Sequence, residues 1–186
     1  MLKRFFDLTF VIVFFPIWFL LIIIIMIASM VFNGRPIFFI QYRGGYKNRK
    51  IKIIKFRTFD SNNHINIYSN FLRYFKFDEL PQLINILRGD ISLVGPRPLI
   101  YEYKKIYKKK HLKRFLVMPG LTGWSQIKSK NNTKWLKKFD YDLWYIKNHN
   151  FLLDLKIIWL TILKIILSLF LKNKKSYPVK RFNGSN

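Results

Sequence analysis

The chain has 186 residues, a length that suits one modest domain with added membrane-contacting elements, and 51% of its residues are hydrophobic. Its formal net charge of +25 points to anionic partners, which are nucleic acid, anionic lipid or phosphorylated substrates. Cysteine is absent and the three histidines are scattered, so a disulfide framework and a thiolate metal site are excluded and a zinc site is disfavoured.

The N-terminal apolar segment is the first element that the sequence predicts. No residue from Leu8 to Phe32 is charged, and about 25 residues of helix are enough to cross roughly 30 Å of hydrocarbon. The segment is too long for a secretory signal peptide, and no small-residue cleavage site follows it. We therefore expect a membrane-anchoring helix.

Pro16 lies inside this segment, where it removes a helical hydrogen bond and predicts a kink. Basic residues flank the segment on both sides, among them Lys3, Arg4 and Arg35. Because positive flanks favour the cytoplasm, a helix bent at Pro16 that enters and leaves by the same face would satisfy both ends. The alternative is a kinked helix that spans the membrane once.

The polar part of the chain begins with a predicted β-hairpin. The segments Pro36 to Tyr42 and Lys50 to Thr58 are rich in β-branched and aromatic residues, and Gly44 and Gly45 indicate the turn between them. The polar segment Asp60 to Asn66 is then expected to form a loop.

A short helix is predicted from Asp78 to Leu87, with Asp78 as its N-cap, Pro81 in its first turn and Gly89 as its stop. A basic amphipathic helix is predicted from Leu99 to Leu116, and a further helix from Thr133 to Asn148.

The last apolar segment, Phe151 to Leu171, carries its polar residues at helical spacing on a narrow stripe. This pattern is typical of a helix that lies in the membrane interface or packs under the domain. A second membrane crossing is the weaker interpretation, because Lys164 would then lie at mid-membrane. The stripe consists of Asp154, Thr161, Lys164, Ser168 and Lys172.

Asp78 and Glu79 form an adjacent acidic pair in a chain with few acids. A carboxylate at a helix N-terminus is stabilised in its charged form by the helix dipole. Such a carboxylate can bind a divalent cation or attack an electrophilic phosphorus atom. The plainer interpretation is a helix cap without chemistry.

Pro96 and Pro98 flank Arg97 and restrict its backbone, so the guanidinium would be presented with little freedom. The planar fork of arginine suits phosphate oxygens. Lys55 and Arg57, at the end of the second predicted strand, supply two more cations. A rigid turn with a solvated arginine, and an ordinary basic strand end, are the alternatives.

These pieces belong to an ordered set of motifs. The motifs are Lys55-Phe56-Arg57-Thr58, Asp78-Glu79-Leu80-Pro81-Gln82-Leu83, Arg88-Gly89-Asp90-Ile91-Ser92-Leu93-Val94-Gly95-Pro96-Arg97-Pro98 and Pro119-Gly120-Leu121-Thr122-Gly123-Trp124. Together they resemble the monotopic phosphoglycosyl transferases of the bacterial sugar transferase family, and the resemblance extends from Arg4 to about Leu167. It favours the re-entrant interpretation of Pro16, because members of this family use a helix broken at a proline to dip into one leaflet.

The resemblance implies transfer of a sugar-1-phosphate from a UDP-sugar to polyprenyl (undecaprenyl) phosphate, with release of UMP. This reaction would start a membrane-linked glycan at the cytoplasmic face of the bacterial inner membrane. The resemblance implies that Asp78 is the nucleophile of a phosphosugar-aspartyl intermediate and that Glu79 assists with Mg²⁺ or with the incoming phosphate. Both acids would be the metal ligands. The implied substrate-binding residues are Lys55, Arg57, Arg88, Pro96, Arg97 and Lys130.

The expected fold is α+β, with a re-entrant membrane helix broken at Pro16, a small β-hairpin and several amphipathic helices at the membrane interface. The expected divisions are residues 1–34 for the membrane helix, 35–172 for the cytoplasmic membrane-associated catalytic domain and 173–186 for a flexible tail. An anionic phospholipid membrane is an expected partner and nucleic acid is not, while homodimerisation is left open.

The chain departs from the family pattern at several positions. Phe15 replaces the usual serine before Pro16, Met118 replaces a common arginine, and the segment 59–77 is shorter than usual. Two alternatives follow. One is a catalytically impaired homologue that acts as a membrane-bound scaffold. The other is a basic nucleic-acid-binding membrane protein, which explains the charge but not the apolar N-terminal segment.

Overall fold

The computed structural model describes residues 2–60, 64–130, 132–170 and 181–184, without the side chains of 169 and 170. The described residues form helices and two small two-stranded sheets, which confirms a mixed helix-and-strand fold. The chain divides into two compact units. The first comprises Met1–Tyr42 and Lys52–Gly89, and the second comprises Arg43–Ile51 and Asp90–Asn186.

The N-terminal apolar segment is broken into two helices, α1 (Leu2–Val13) and α2 (Phe15–Asn33). Pro16 lies in the first turn of α2, where a backbone N–H has no partner within the helix, so its lack of an N–H costs no helical hydrogen bond. Trp18 Nε1 donates to the carbonyl of Val11 over 2.8 Å, which ties the two helices together across the break. Among the described residues, α2 alone is long and apolar enough to cross a membrane.

Asn33 joins the end of α2 to the rest of the first unit. Its side-chain amide donates to the carbonyl of Arg57 over 2.8 Å, and its side-chain oxygen accepts from Ser69 Oγ at 3.0 Å. The guanidinium of Arg57 donates in return to the backbone carbonyl of Asn33. These hydrogen bonds between buried groups fix the end of α2.

The predicted hairpin is confirmed as strands β1 (Phe38–Gly44) and β2 (Lys50–Phe56), which pair in one sheet. A short 3-10 turn at Tyr46–Asn48 connects them. Gly45 permits this turn, because a Cβ there would lie 2.7 Å from the Ile51 side chain.

Residues 61–63 of the predicted loop lie outside the described residues. Helix α3 (Ile67–Phe75), which follows this segment, was not predicted. A 3-10 turn at Phe77–Glu79 and helix α4 (Gln82–Arg88) complete the first unit. The prediction that Asp78 caps the helix is wrong, because α4 begins four residues later and Asp78 lies in the preceding turn. Gly89 ends α4 at a φ of 81°, as predicted.

Helix α1 packs on the end of α4 through one side chain. The guanidinium of Arg4 donates to the carbonyls of Ile86 at 2.5 Å and Leu87 at 2.9 Å. These carbonyls belong to the last turn of α4, where helical acceptors lack partners within the helix. A cation also interacts favourably with the negative end of a helix.

In the second unit, β3 (Ser92–Val94) and β4 (Gly120–Thr122) pair in parallel. The backbones approach so closely that a Cβ on Gly95 would clash with the carbonyl of Met118, and one on Gly120 with the backbone nitrogen of Gly95. The glycines of both motifs are therefore required by packing between two backbone segments.

The predicted helix from Leu99 to Leu116 is wrong. The segment forms two 3-10 helices instead, Tyr101–Ile106 and Lys109–Leu116, with Tyr107 in an extended conformation between them. Lysines repeat through this segment at spacings that would place like charges on adjacent turns of an α-helix, which destabilises that helix. The extended break lets the Tyr107 ring pack against Phe139, 5.5 Å between centroids.

Three helices complete the second unit: α5 (Trp124–Lys128), α6 (Trp135–Asn148) and α7 (Phe151–Phe170). Helices α6 and α7 match their predictions, with α6 starting two residues late. Most of the predicted flexible tail, residues 173–180 and 185–186, lies outside the described residues, as does Lys172 of the predicted polar stripe. Within 181–184, Phe182 is buried against Leu99 and Phe139.

The polar stripe of α7 packs against the second unit. Asp154 accepts a 2.6 Å hydrogen bond from Tyr145, and Thr161 lies 2.7 Å from Thr122 between hydroxyl oxygens. Lys164 Nζ donates to the carbonyl of Gln126 over 2.7 Å. The opposite, apolar face of α7 is exposed, including Leu152, Trp159 and Leu167.

Candidate active site

Asp78 and Glu79 lie side by side in the 3-10 turn between α3 and α4. The turn is set by Lys76, which ends α3 in a left-handed conformation at φ 61° and whose carbonyl accepts the backbone N–H of Glu79 at 3.0 Å. A left-handed lysine is uncommon and reverses the chain direction within one residue. Both carboxylates are thus carried by a short, hydrogen-bonded turn.

Lys55, near the end of β2, meets both acids. Its Nζ lies 2.7 Å from Glu79 Oε1 and 3.9 Å from Asp78 Oδ2. The side chain of Lys55 is 18% exposed, that of Glu79 9% and that of Asp78 13%. Because partial burial lowers the effective dielectric constant, the ammonium stabilises the charged carboxylates more than an exposed lysine would.

Helix α4 is clamped to β2 by Asn85. The side-chain oxygen of Asn85 accepts from the backbone N–H of Ile54 at 3.2 Å, and its amide donates to the carbonyl of Lys52 over 2.7 Å. Asn85 is fully buried. Its side chain therefore pairs with backbone groups of β2 as a neighbouring strand would. This fixes β2, which carries Lys55, relative to α4, which follows the acidic turn.

The other two predicted site residues of the first unit have different surroundings. Arg57 is buried and donates to the backbone of Asn33 at the end of α2, with its guanidinium 5.6 Å from the Phe59 ring. Its position links the predicted substrate-binding motif to the end of the apolar helix α2. Arg88 is exposed at the last position of α4.

In the second unit, Pro96 is buried and Arg97 is half-buried in the turn after β3. The carbonyl of Arg97 accepts a 2.7 Å hydrogen bond from Arg114, and that of Pro96 accepts the backbone N–H of Gly120 at 3.1 Å. Backbone carbonyl acceptors therefore help to hold the turn.

Arg114 is itself held by a buried ion pair that the sequence analysis did not identify. Its Nε lies 2.9 Å from Asp142 Oδ2, its Nη1 lies 3.1 Å from the Tyr107 hydroxyl, and its guanidinium lies over the Phe139 ring at 5.1 Å. Burial raises the pKa of Asp142 to about 6, and the adjacent Arg114 opposes that rise.

Lys130, the remaining predicted site residue, is exposed in the second unit, and its backbone N–H donates to Thr133 Oγ1 over 2.9 Å. The structure thus brings Lys55, Asp78 and Glu79 together within the first unit. Pro96, Arg97 and Lys130 belong to the second unit.

Comparison with known proteins places the chain in a family. The model of the bacterial sugar transferase family matches residues 1–168. An uncharacterized sugar transferase of Bacillus subtilis, EpsL, is 39% identical over 195 aligned positions, covering 99% of this chain and 96% of that protein. The exopolysaccharide production protein ExoY of Rhizobium meliloti is 28% identical, covering 80% of this chain and 78% of ExoY.

A relative with a named reaction covers less of its own length. The UDP-glucose:undecaprenyl-phosphate glucose-1-phosphate transferase of Escherichia coli is 34% identical over 75% of this chain, which corresponds to 35% of that enzyme. The chain therefore spans about a third of that enzyme and nearly all of EpsL. The family match covers both units and every motif of the sequence analysis, so the chain belongs to the bacterial sugar transferase family and is a phosphoglycosyl transferase.

Proposed function

We propose that the chain transfers a sugar-1-phosphate from a UDP-sugar to polyprenyl phosphate and releases UMP, which starts a membrane-linked glycan. The donor and acceptor follow from the names of relatives such as the Escherichia coli transferase. The observation that carries the catalytic assignment is the cluster of Asp78, Glu79 and Lys55, in which two acids of one hydrogen-bonded turn meet a cation near the end of β2.

The proposed reaction has two displacements at one phosphorus atom. A carboxylate oxygen of Asp78 attacks the phosphorus that carries the sugar, the bond from this phosphorus to the UMP oxygen breaks, and UMP leaves. A phosphate oxygen of the polyprenyl phosphate then attacks the same phosphorus. The bond to Asp78 breaks, the carboxylate is restored, and the sugar remains on a polyprenyl diphosphate.

The unequal distances around Lys55 suit this division of roles. Glu79 lies nearer to the ammonium than Asp78, at 2.7 Å against 3.9 Å, so Glu79 orients Lys55 while Asp78 reacts. The ammonium offsets the negative charge that develops on the phosphoryl oxygens during each displacement. Arg97 and the other predicted cations would bind the phosphate groups of the two substrates.

Mg²⁺ is the proposed cofactor, and Asp78 and Glu79 are its proposed ligands. Mg²⁺ typically binds one or two carboxylates together with waters and substrate phosphates, so this adjacent pair suits it. Among the described residues, no group of three or more acidic or histidine side chains forms a complete protein site. The ion would neutralise diphosphate charge when bound.

We also propose that α1 and α2 form a re-entrant membrane segment at the cytoplasmic face of the inner membrane. Arg4 near the start of α1 binds the end of α4, and Asn33 at the end of α2 binds Arg57. Both ends of the apolar segment are thus attached to the same first unit. A straight crossing would separate these ends by the thickness of the bilayer.

The substitution Asp78→Asn tests the catalytic proposal. We expect UMP release from a panel of UDP-sugars, assayed with undecaprenyl phosphate, to fall by at least about a thousandfold, because an amide is a poor nucleophile. Membrane association should be unchanged. Asp140→Asn removes an exposed acid outside the cluster and serves as the matched control, with wild-type turnover expected.

Normal turnover in Asp78→Asn would show that another group is the nucleophile. A wild-type protein that binds membranes but releases no UMP from any donor would instead favour the impaired scaffold.

A further inference from the structure

Helix α3 exposes an apolar face instead of a polar one. Ile67 is 89% exposed and Phe71 47%, and Tyr74 is also exposed on this face, whereas the buried face carries Ser69 and Leu72. Surface helices of water-soluble domains normally show the opposite pattern. An exposed apolar surface of this kind marks a place where another apolar molecule binds.

The apolar face continues into an aromatic ladder, which we define as Phe71, Phe75 and Phe77. The ring centroids are 4.7 Å apart for Phe71 and Phe75, 5.6 Å for Phe75 and Phe77, and 5.9 Å for Phe71 and Phe77. Phe77 directly precedes Asp78 in the same 3-10 turn. The ladder therefore ends beside the proposed nucleophile.

The other end of α3 is attached to the membrane helix α2 by Tyr68. The Tyr68 hydroxyl lies 2.9 Å from Ser29 Oγ and donates to the carbonyl of Ile25 over 3.0 Å. Its ring stacks on Phe32 with centroids 5.0 Å apart. Since a nine-residue helix is about 14 Å long, α3 connects the apolar membrane segment to the acidic turn over a short distance.

We propose that the aromatic ladder binds the isoprene units nearest the phosphate of the polyprenyl phosphate acceptor. This inference rests on the proposed function. The acceptor phosphate must reach Asp78 while its hydrocarbon chain stays in the bilayer, so the first isoprene units need an apolar surface between the two. Aromatic rings in mutual contact supply that surface through dispersion and burial of apolar area.

The surroundings of the ladder favour this occupant over the nucleotide of the donor. A nucleotide requires hydrogen-bonding and cationic groups along its length, whereas the exposed face of α3 presents the large side chains of Ile67, Phe71 and Tyr74 and one amide, that of Asn70. The nearby guanidinium of Arg73 is directed to Thr58, with Nε 2.7 Å from Oγ1 and Nη2 3.2 Å from the carbonyl.

The double substitution Phe71→Ala and Phe75→Ala tests the proposal. We expect the KM for undecaprenyl phosphate to rise roughly tenfold, since two lost aromatic contacts are worth about 1.4 kcal/mol or more. The burst of UMP without acceptor, the KM for the UDP-sugar and co-sedimentation with vesicles should be unchanged. Phe71→Leu with Phe75→Leu keeps apolar area and should restore most of the affinity.

Trp159→Ala is the matched control, because it removes an exposed aromatic ring from α7 in the second unit. An unchanged acceptor KM in the double variant would overturn the proposal. A raised KM for the UDP-sugar would also overturn it, because that result indicates stacking on the nucleotide. An equal effect of Trp159→Ala, or a parallel loss of vesicle binding, would overturn it as well, because either result indicates a general contact with the membrane.

A binding measurement separates this proposal from the proposed function. A polyprenyl phosphate with a photoreactive group in its first isoprene unit should crosslink to the peptide that contains residues 71–77, without any turnover. Crosslinking in a protein that releases no UMP would sustain the ladder and refute the transferase activity. Crosslinking elsewhere in a protein that does release UMP would refute only the ladder.

Discussion

At the scale of single residues, two charge clusters are distinguished by how deeply they are buried. Lys55 with Asp78 and Glu79 belongs to the first unit, and Arg114 with Asp142 belongs to the second. The first cluster leaves its groups partly exposed, as chemistry with a substrate requires. The second is almost fully buried and its arginine holds the carbonyl of Arg97, so we assign it to positioning the turn.

The buried Asp142 predicts a pH dependence of stability. Its pKa is about 6 in the folded protein against an ordinary 3.8, so the folded state keeps a proton that the unfolded chain has lost. The free energy of unfolding should therefore fall as pH rises from about 4 to about 6, by up to roughly 3 kcal/mol, and should level off above pH 6.

Guanidinium unfolding in detergent, followed by tryptophan fluorescence at several pH values, measures this dependence. Asp142→Asn should remove this contribution to the slope, although it also weakens the pair with Arg114 at every pH. Asp140→Asn, which changes an exposed acid, should keep the wild-type slope. A slope that is the same in wild type and Asp142→Asn would refute the assignment.

Local sequence motifs predict the candidate catalytic residues better than they predict the residues that hold those side chains in place. Asp78, Glu79 and Lys55 were identified from motifs, and the structure brings them together. Asn85 and Asp142 were not, because their roles depend on partners 28 to 33 residues away. A polar residue within an apolar helical pattern, as at Asn85, is the one sequence signal that could have marked it.

At the scale of elements, local turn chemistry predicted the hairpin and the C-terminal end of α4, but not the start of that helix. The hairpin glycines and the left-handed Gly89 act within a few residues, and both were predicted correctly. Helix α3 was missed because its exposed face is apolar and its pattern resembles no ordinary surface helix. The segment after Leu99 was assigned to one helix because its extended break at Tyr107 depends on distant aromatic partners.

The clamp between α4 and β2 gives a prediction at this scale. Asn85→Ala should lower the free energy of unfolding by about 1–3 kcal/mol, because the backbone groups of Ile54 and Lys52 lose buried partners. It should also lower UMP release by loosening Lys55 relative to the acids. Asn70→Ala, on the exposed surface of α3, should change neither measurement. Equal stability of Asn85→Ala and wild type would refute the clamp.

At the scale of the whole molecule, membrane topology is the main prediction. Because the natural chain has no cysteine, Leu2→Cys and Arg35→Cys each introduce a single label site at one end of the apolar segment. For a re-entrant segment, a membrane-impermeant maleimide should label both in inverted inner-membrane vesicles and neither in intact spheroplasts. Labelling of Leu2→Cys in spheroplasts would instead establish a single crossing.

Helix α7 packs with its polar side chains inward and its apolar side chains outward, which affects how the protein must be purified. With its polar stripe turned toward Tyr145, Thr122 and Gln126, the helix directs Leu152 and Trp159 outward. Deleting α1 and α2 would therefore not yield a water-soluble protein, because the exposed apolar face of α7 would remain on the second unit. Purification of such a truncated form should still require detergent or lipid.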